Sequence, residues 1–121
     1  MRSDNVIVDR SFAFALRIIK LSRYLSDEHK EFTLSRELLS AGTNVGRHVK
    51  EATSGESREM FPVYMARALR RADETEYWLQ LIHFAGLINE REFASIEADR
   101  KEIAKILTAI VKTSKEKEQS S

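Results

Sequence analysis

The chain has 121 residues and no cysteine, with 42% hydrophobic and 32% charged residues and a formal net charge of +1. That length suits one domain with a real core, and the composition excludes a disordered chain, a disulfide scaffold and any thiolate metal site or nucleophile. It is not a polycation either: basic and acidic residues nearly balance along the whole chain, so a footprint for nucleic acid has to come from a folded surface.

Near the start, the apolar run Val6-Ile7-Val8 is followed at once by Asp9 and Arg10, which is no targeting signal. No window approaches the ~20 apolar residues of a membrane span. A cytoplasmic protein without a membrane partner is expected. One proline and four glycines punctuate the chain, and the apolar residues recur at helical spacing.

The first helix is expected over SFAFALRIIKLSRYL, residues 11–25. Arg17, Lys20 and Tyr24 share a polar flank, while Phe12, Phe14, Ala15, Leu16, Ile18, Ile19, Leu21 and Leu25 cover much of the rest. That apolar arc is wider than one side of a bundle needs, and predicts two neighbours or a second subunit. DEHKEFT then interrupts the pattern, with Thr33 as the expected N-cap of a second helix. This helix spans about Leu34 to Thr53, with Leu34, Leu38, Ala41, Val45, Val49 and Ala52 in one stripe and Gly55 closing it.

The third helix has the cleanest seam: Phe61, Met65, Ala68, Ala72, Thr75, Leu79 and Ile82 alternate at four and three. Pro62 belongs in its first turn, with Ser57 as cap if the helix begins a turn earlier, and Gly86 ends it. Asn89 with Glu92 three residues on forms a capping-box start for a fourth helix. Phe93, Ile96, Ile103, Leu107 and Ile110 continue that helix, and its seam is broken once, near Arg100. The polar tail 114–121 is expected to fray, leaving an ordered body of about 5–113 in a single domain spanning 1–121. The fold class is all-α, an antiparallel up-down-up-down four-helix bundle.

Within SAGTNVGRHVKEA, Gly42 and Gly46 stand four apart beside Arg47, His48 and Lys50. A phosphate loop needs a preceding strand and G-x-x-x-x-G-K-[ST], and neither is present. Ser35, Gly42, Gly46 and Thr53 instead fall together on one lane of the helix. Small residues there predict that another helix packs very close, which offsets the ~1 kcal/mol cost of each mid-helix glycine.

Catalysis has little to stand on. Neither His48 nor His83 has Asp or Glu three residues before it, as a di-iron bundle would need, and His29 sits among charged residues. Glu51 and Glu74 are read as helical ion-pair partners of Arg47 and of Arg70 or Arg71 rather than as an acid–base pair. No enzyme, no cofactor and no metal is expected. Arg36, Arg47 and Lys50 cluster on the outer face of the second helix, and Arg67, Arg70 and Arg71 on the shoulder of the third. Two readings stay open: a solvated face partly neutralised by Glu51, Asp73, Glu74 and Glu76, or a phosphate-contacting surface repeated around an oligomer. Tyr64, Tyr77 and Trp78 suit packing or subunit-interface anchors better than base stacking.

The segments FAFALRIIKLSRYL, LSRELLSAGTNVGRHVKEA, ARALRRADETEYWLQLI and AKILTAIVKT resemble, in order and spacing, the bacterial four-helix-bundle proteins encoded in intervening sequences of 23S rRNA genes. The most specific pieces are Ala41 to Gly46 with Glu51 and Ala52, and Glu74 to Leu79. Two departures add positive charge: Arg47, His48 and Val49 stand where the family usually has Ala-Asn-(Tyr/Ile), and Arg70-Arg71-Ala72 where it often has Lys-Glu-Ala. The resemblance implies a homopentameric ring, in which Phe12, Tyr77 and Trp78 are candidate interface or core anchors. The family is also similar to the accessory proteins of diversity-generating retroelements, pentameric bundles that bind nucleic acid and a reverse transcriptase. Expected partners are therefore further copies of the chain, RNA or DNA on the basic surfaces, or alternatively a protein partner recruited to a scaffold that binds no nucleic acid.

Overall fold

The computed structural model describes residues 3–55 and 57–120, with side chains for 6–55 and 57–117; Ser121 of the expected tail lies outside the described residues. Four helices account for nearly all of it: α1 (Ser3–His29), α2 (Thr33–Thr53), α3 (Phe61–Phe84) and α4 (Glu90–Ser120). Each helix packs on its neighbours in sequence, α1 closes the square against α4, and among the described residues the diagonal pairs bring no backbone close together.

The direction of each helix follows from which residues meet. Ser22 lies beside Ser35, Ile18 beside Gly42 and Ser11 beside Gly46, so α1 and α2 run in opposite senses. Arg100 reaches Ala72 and Glu76, while His83 stacks on Phe93, which makes α3 and α4 antiparallel as well. Between α2 and α3 the connection is only 54–60. Seven residues reach about 25 Å at most, less than the roughly 31 Å length of α2, so α3 has to double back along it. Consistently, residues of the 54–60 connection line one hollow together with Ser114 and Lys117 near the end of α4.

The core is the set of inward positions read from the sequence: Phe14, Ile18 and Leu25; Leu38, Val45 and Val49; Met65, Ala68, Ala72, Leu79 and Ile82; Ile96, Ile103 and Leu107. Ile7 joins it because α1 begins eight residues before the expected Ser11. At the other end of the chain, α4 runs on through the polar tail to Ser120 rather than fraying beyond about residue 113.

Two expected caps are replaced. Thr33 is the first residue of α2, not its cap; Phe32 holds that place without a side-chain bond, and the Leu34 N–H donates instead to Glu31 Oε1 at 2.7 Å. The reason lies one residue earlier. Lys30 takes a left-handed conformation (φ 54°), and the Glu31 N–H folds back onto the Leu25 carbonyl at 3.0 Å, so Glu31 is poised over the new helix end. Ser57 is likewise not a cap: the chain turns through 58–60 and α3 starts at Phe61, with Pro62 in its first turn. A left-handed lysine costs about 1 kcal/mol that glycine avoids. Lys30→Gly should therefore raise stability by about 0.5 kcal/mol, after glycine's extra unfolded-state entropy, and a urea melt checks it.

The other punctuation is as expected. Gly55 follows the end of α2 at φ 79°. After α3, Gly86 adopts φ 82°; its N–H bonds the His83 carbonyl, and the Leu87 N–H bonds the Ile82 carbonyl, which is the paired pattern of a Schellman end. Asn89 and Glu92 form the reciprocal capping box, with the Glu92 N–H on Asn89 Oδ1 at 2.8 Å and the Asn89 N–H on Glu92 Oε1 at 3.3 Å.

Candidate nucleic-acid interface

The basic side chains sit on the outer faces of two adjacent helices. On α2, Arg36, Arg47 and Lys50 recur at helical spacing on the side away from the core, and all three are exposed. On α3, Arg67 and Arg70 are exposed and Arg71 is half-buried. Because α2 and α3 run antiparallel through a short turn, Arg47, Lys50, Arg67, Arg70 and Arg71 lie toward the same end of the bundle, and Arg36 toward the other.

Their states differ. Arg47 donates to Asn44 Oδ1 at 2.6 Å and stands 3.5 Å from Glu51; Arg71 pairs with Glu74 at 3.0 Å. Arg67 lies over the Tyr64 ring, 5.3 Å from its centroid. Arg36, Lys50 and Arg70 have no acidic partner among the described residues. Arg47 and Arg71 are thus paired with carboxylates and Arg67 is held over a ring, while Lys50 and Arg70 stand bare toward one end of the bundle and Arg36 toward the other.

His48 is buried, with Nδ1 2.6 Å from Glu51 Oε1. His29 is exposed and reaches the Tyr24 hydroxyl at 3.2 Å. His83 stacks flat on Phe93 with centroids 4.4 Å apart, its Nε2 2.8 Å from Glu90. No group of three metal-ligating side chains occurs among the described residues.

The lane of small residues on α2 faces α1. A Cβ on Gly42 would stand 2.6 Å from Cγ1 of the fully buried Ile18, and one on Gly46 would stand 3.3 Å from the Ser11 carbonyl oxygen. The Ser22 and Ser35 hydroxyls, 2.7 Å apart, continue the same seam, each within reach of the other's backbone carbonyl. Phe12 is 67% exposed, as is Leu16 one turn on at 50%; Tyr77 is 56% exposed and heads a second apolar stripe with Leu81 and Phe84. Trp78 is half-buried against the core, edge-on to Tyr77.

One cluster escaped the sequence reading apart from the break in the seam it causes. Arg100, only 4% exposed, donates to both carboxylate oxygens of the buried Glu97 at 2.6 and 2.9 Å and to Glu76 at 2.9 Å. Burial alone pulls its pKa down, but the hydrogen bond and charge of Glu97, with the charges of Glu76 and Asp73, outweigh that, and the guanidinium stands above the ordinary arginine value. It remains charged inside the bundle.

With this architecture in place, the comparisons with known proteins are specific. The family described as 23S rRNA-intervening sequence protein matches residues 3–109. The chain belongs to that family. Among solved structures, a protein of unknown function from the S23 ribosomal protein family of Bacteroides thetaiotaomicron is 40% identical, with a TM-score of 0.89, over 92% of this chain and 99% of that one. No curated protein matches. For a member of this family the match establishes the bundle, since the fold is shared with a neighbour of unknown function and fold alone does not supply an activity. No helix among the described residues is long and apolar enough to cross a membrane.

Proposed function

We propose that this family member is a non-enzymatic, cytoplasmic, ring-forming bundle that binds RNA or DNA through the outer faces of α2 and α3. The observation that carries the reading is the set of bare cations, Arg36, Lys50 and Arg70, beside Arg47 and Arg71, partly neutralised by Glu51 and Glu74, and Arg67, which lies over the Tyr64 ring. Alone, three contacts are weak; repeated by symmetry around an oligomer they add through effective concentration. Assembly is supported by two different exposed apolar stripes, Phe12 with Leu16 on α1 and Tyr77, Leu81 and Phe84 on α3. These helices lie diagonally across the bundle, so pairing one stripe with the other is head-to-tail, the arrangement that closes into a ring. The family resemblance supports five subunits for that ring.

The test is a titration of the purified protein with labelled single- and double-stranded RNA and DNA, with oligomer mass followed by light scattering. The expected result is submicromolar binding that falls by about tenfold or more between about 50 and 200 mM salt. Arg36→Gln/Lys50→Gln/Arg70→Gln should flatten that dependence while leaving the oligomer intact. Absence of binding at low salt overturns the nucleic-acid reading and leaves the ring as a scaffold for a protein partner.

A further inference from the structure

The contact between α1 and α4 is the thinnest of the four helix interfaces, and a hollow of about 550 Å³ opens along it. Its size falls within the range of small-molecule sites. The polar flank of α1 supplies one wall with Arg17, Lys20 and Tyr24; the first turns of α4 supply the other with Arg91, Glu92 and Ser95; Leu21, Ile88 and Ile96 form an apolar floor. Ile88 and Ile96 belong to the buried core, so the floor is fixed.

The cations of this hollow divide by role. Arg17 is committed: it donates to Asp99 Oδ2 at 2.7 Å, to the Ser95 hydroxyl at 3.1 Å and to the Ser95 carbonyl at 3.3 Å, clasping α1 to α4. Glu92 accepts the Asn89 N–H in the capping box. Lys20 and Arg91 are exposed on opposite walls and have no acidic partner among the described residues. Lys20 and Arg91 against the single carboxylate of Glu92 leave the hollow net positive, which suits an anion such as a phosphate monoester. Beside them, the apolar floor and the ring of Tyr24 offer a planar, weakly polar body a surface to rest on.

The geometry points to a binding site for a nucleoside 5′-monophosphate group, its phosphate held between Lys20 and Arg91 and its base against Tyr24 and the isoleucine floor. The group can be a free nucleotide or the 5′-phosphorylated end of a strand. The site is separate from the α2–α3 cations and does not depend on them.

Calorimetric titration of the full-length protein with adenosine 5′-monophosphate, adenosine and inorganic phosphate tests it, alongside a short oligoribonucleotide with and without its 5′-phosphate. The expected result is that the monophosphate binds at least tenfold more tightly than adenosine or phosphate alone. Lys20→Met/Arg91→Gln, two exposed changes that leave the thermal melt in place, should weaken it by at least tenfold, and the α2–α3 triple variant should leave it unchanged. Tighter binding of the 5′-phosphorylated oligomer than of the mononucleotide assigns the site to a strand end, and the reverse order assigns it to free nucleotide. Equal binding of all three small probes, no binding at millimolar nucleotide, or full affinity in the double variant overturns the proposal.

Discussion

Arg100→Ala is expected to lower unfolding stability by about 3–5 kcal/mol, the largest effect of any single change considered for this chain. The loss is not the worth of an ion pair. The guanidinium lies inside α3 and α4 with two bonds to Glu97, and the alanine variant leaves a buried carboxylate with no counter-charge as well as a void. The double variant Arg100→Met/Glu97→Leu removes both charges and fills the space, and should recover most of that loss. Equilibrium urea unfolding of the two variants beside the parent reads both numbers. If Arg100→Ala costs less than about 1 kcal/mol, the pair is solvated and its apparent burial has no energetic meaning. Because the arginine pKa is raised, this stabilisation is complete at every pH below the unfolded value and is lost only when pH rises through the folded one. No dependence on neutral pH should come from Arg100 itself.

The second large effect is at the α1–α2 seam, where the two glycines should answer differently. Gly42→Ala gains up to about 1 kcal/mol in helix propensity, yet sets a methyl 2.6 Å from Cγ1 of the fully buried, β-branched Ile18. Overpacking of this kind costs about 1–3 kcal/mol, so the net should be a loss. Gly46→Ala meets the Ser11 carbonyl at 3.3 Å, a contact that a few tenths of an ångström relieves, and should be close to neutral. Gly46→Leu has no such room and should lose about 2–3 kcal/mol and shift oligomer mass, as α1 is pushed off α2. Thermal melts and light scattering on the three variants decide it. Ile18→Val in the Gly42→Ala background should return part of the loss, which a helix-propensity account would not predict. Wild-type stability in Gly46→Leu would mean the seam is looser than its distances indicate.

How far the sequence could be read depends on whether a signal is local. The seam of α3, the Schellman end at Gly86 and the capping box at Asn89 are written within a turn or two of themselves, and each is found where spacing placed it. The start of α2 was misplaced because its cap depends on a left-handed lysine, and nothing in Lys30 announces that conformation. The reach of α1 back to Ser3 follows from tertiary support of Ile7, whose apolar character was visible but whose partners were not. For the site, the outward positions of the arginines were legible from helical phase, and the pairing of Arg47 with Glu51 and of Arg71 with Glu74 from three- and four-residue spacing. Arg100 showed only as a flaw in a pattern. Its distant partner Glu76 comes from another helix. The same holds for Arg17, Lys20 and Tyr24: their common flank was evident, but not that Arg91 and Ser95 stand across from it.

The thin contact between α1 and α4 also bears on how the molecule assembles itself. Three of the four helix interfaces join consecutive elements and close small loops, whereas the Arg17 clasp to Ser95 and Asp99 joins residues 78 and 82 positions apart. Local pairings carry the smaller entropic penalty and form early; the distant one waits until both hairpins exist. The Arg17 latch is therefore expected to form last, after the three consecutive helix pairs, and to be the first cooperative unit to open below the global transition, which hydrogen exchange reads.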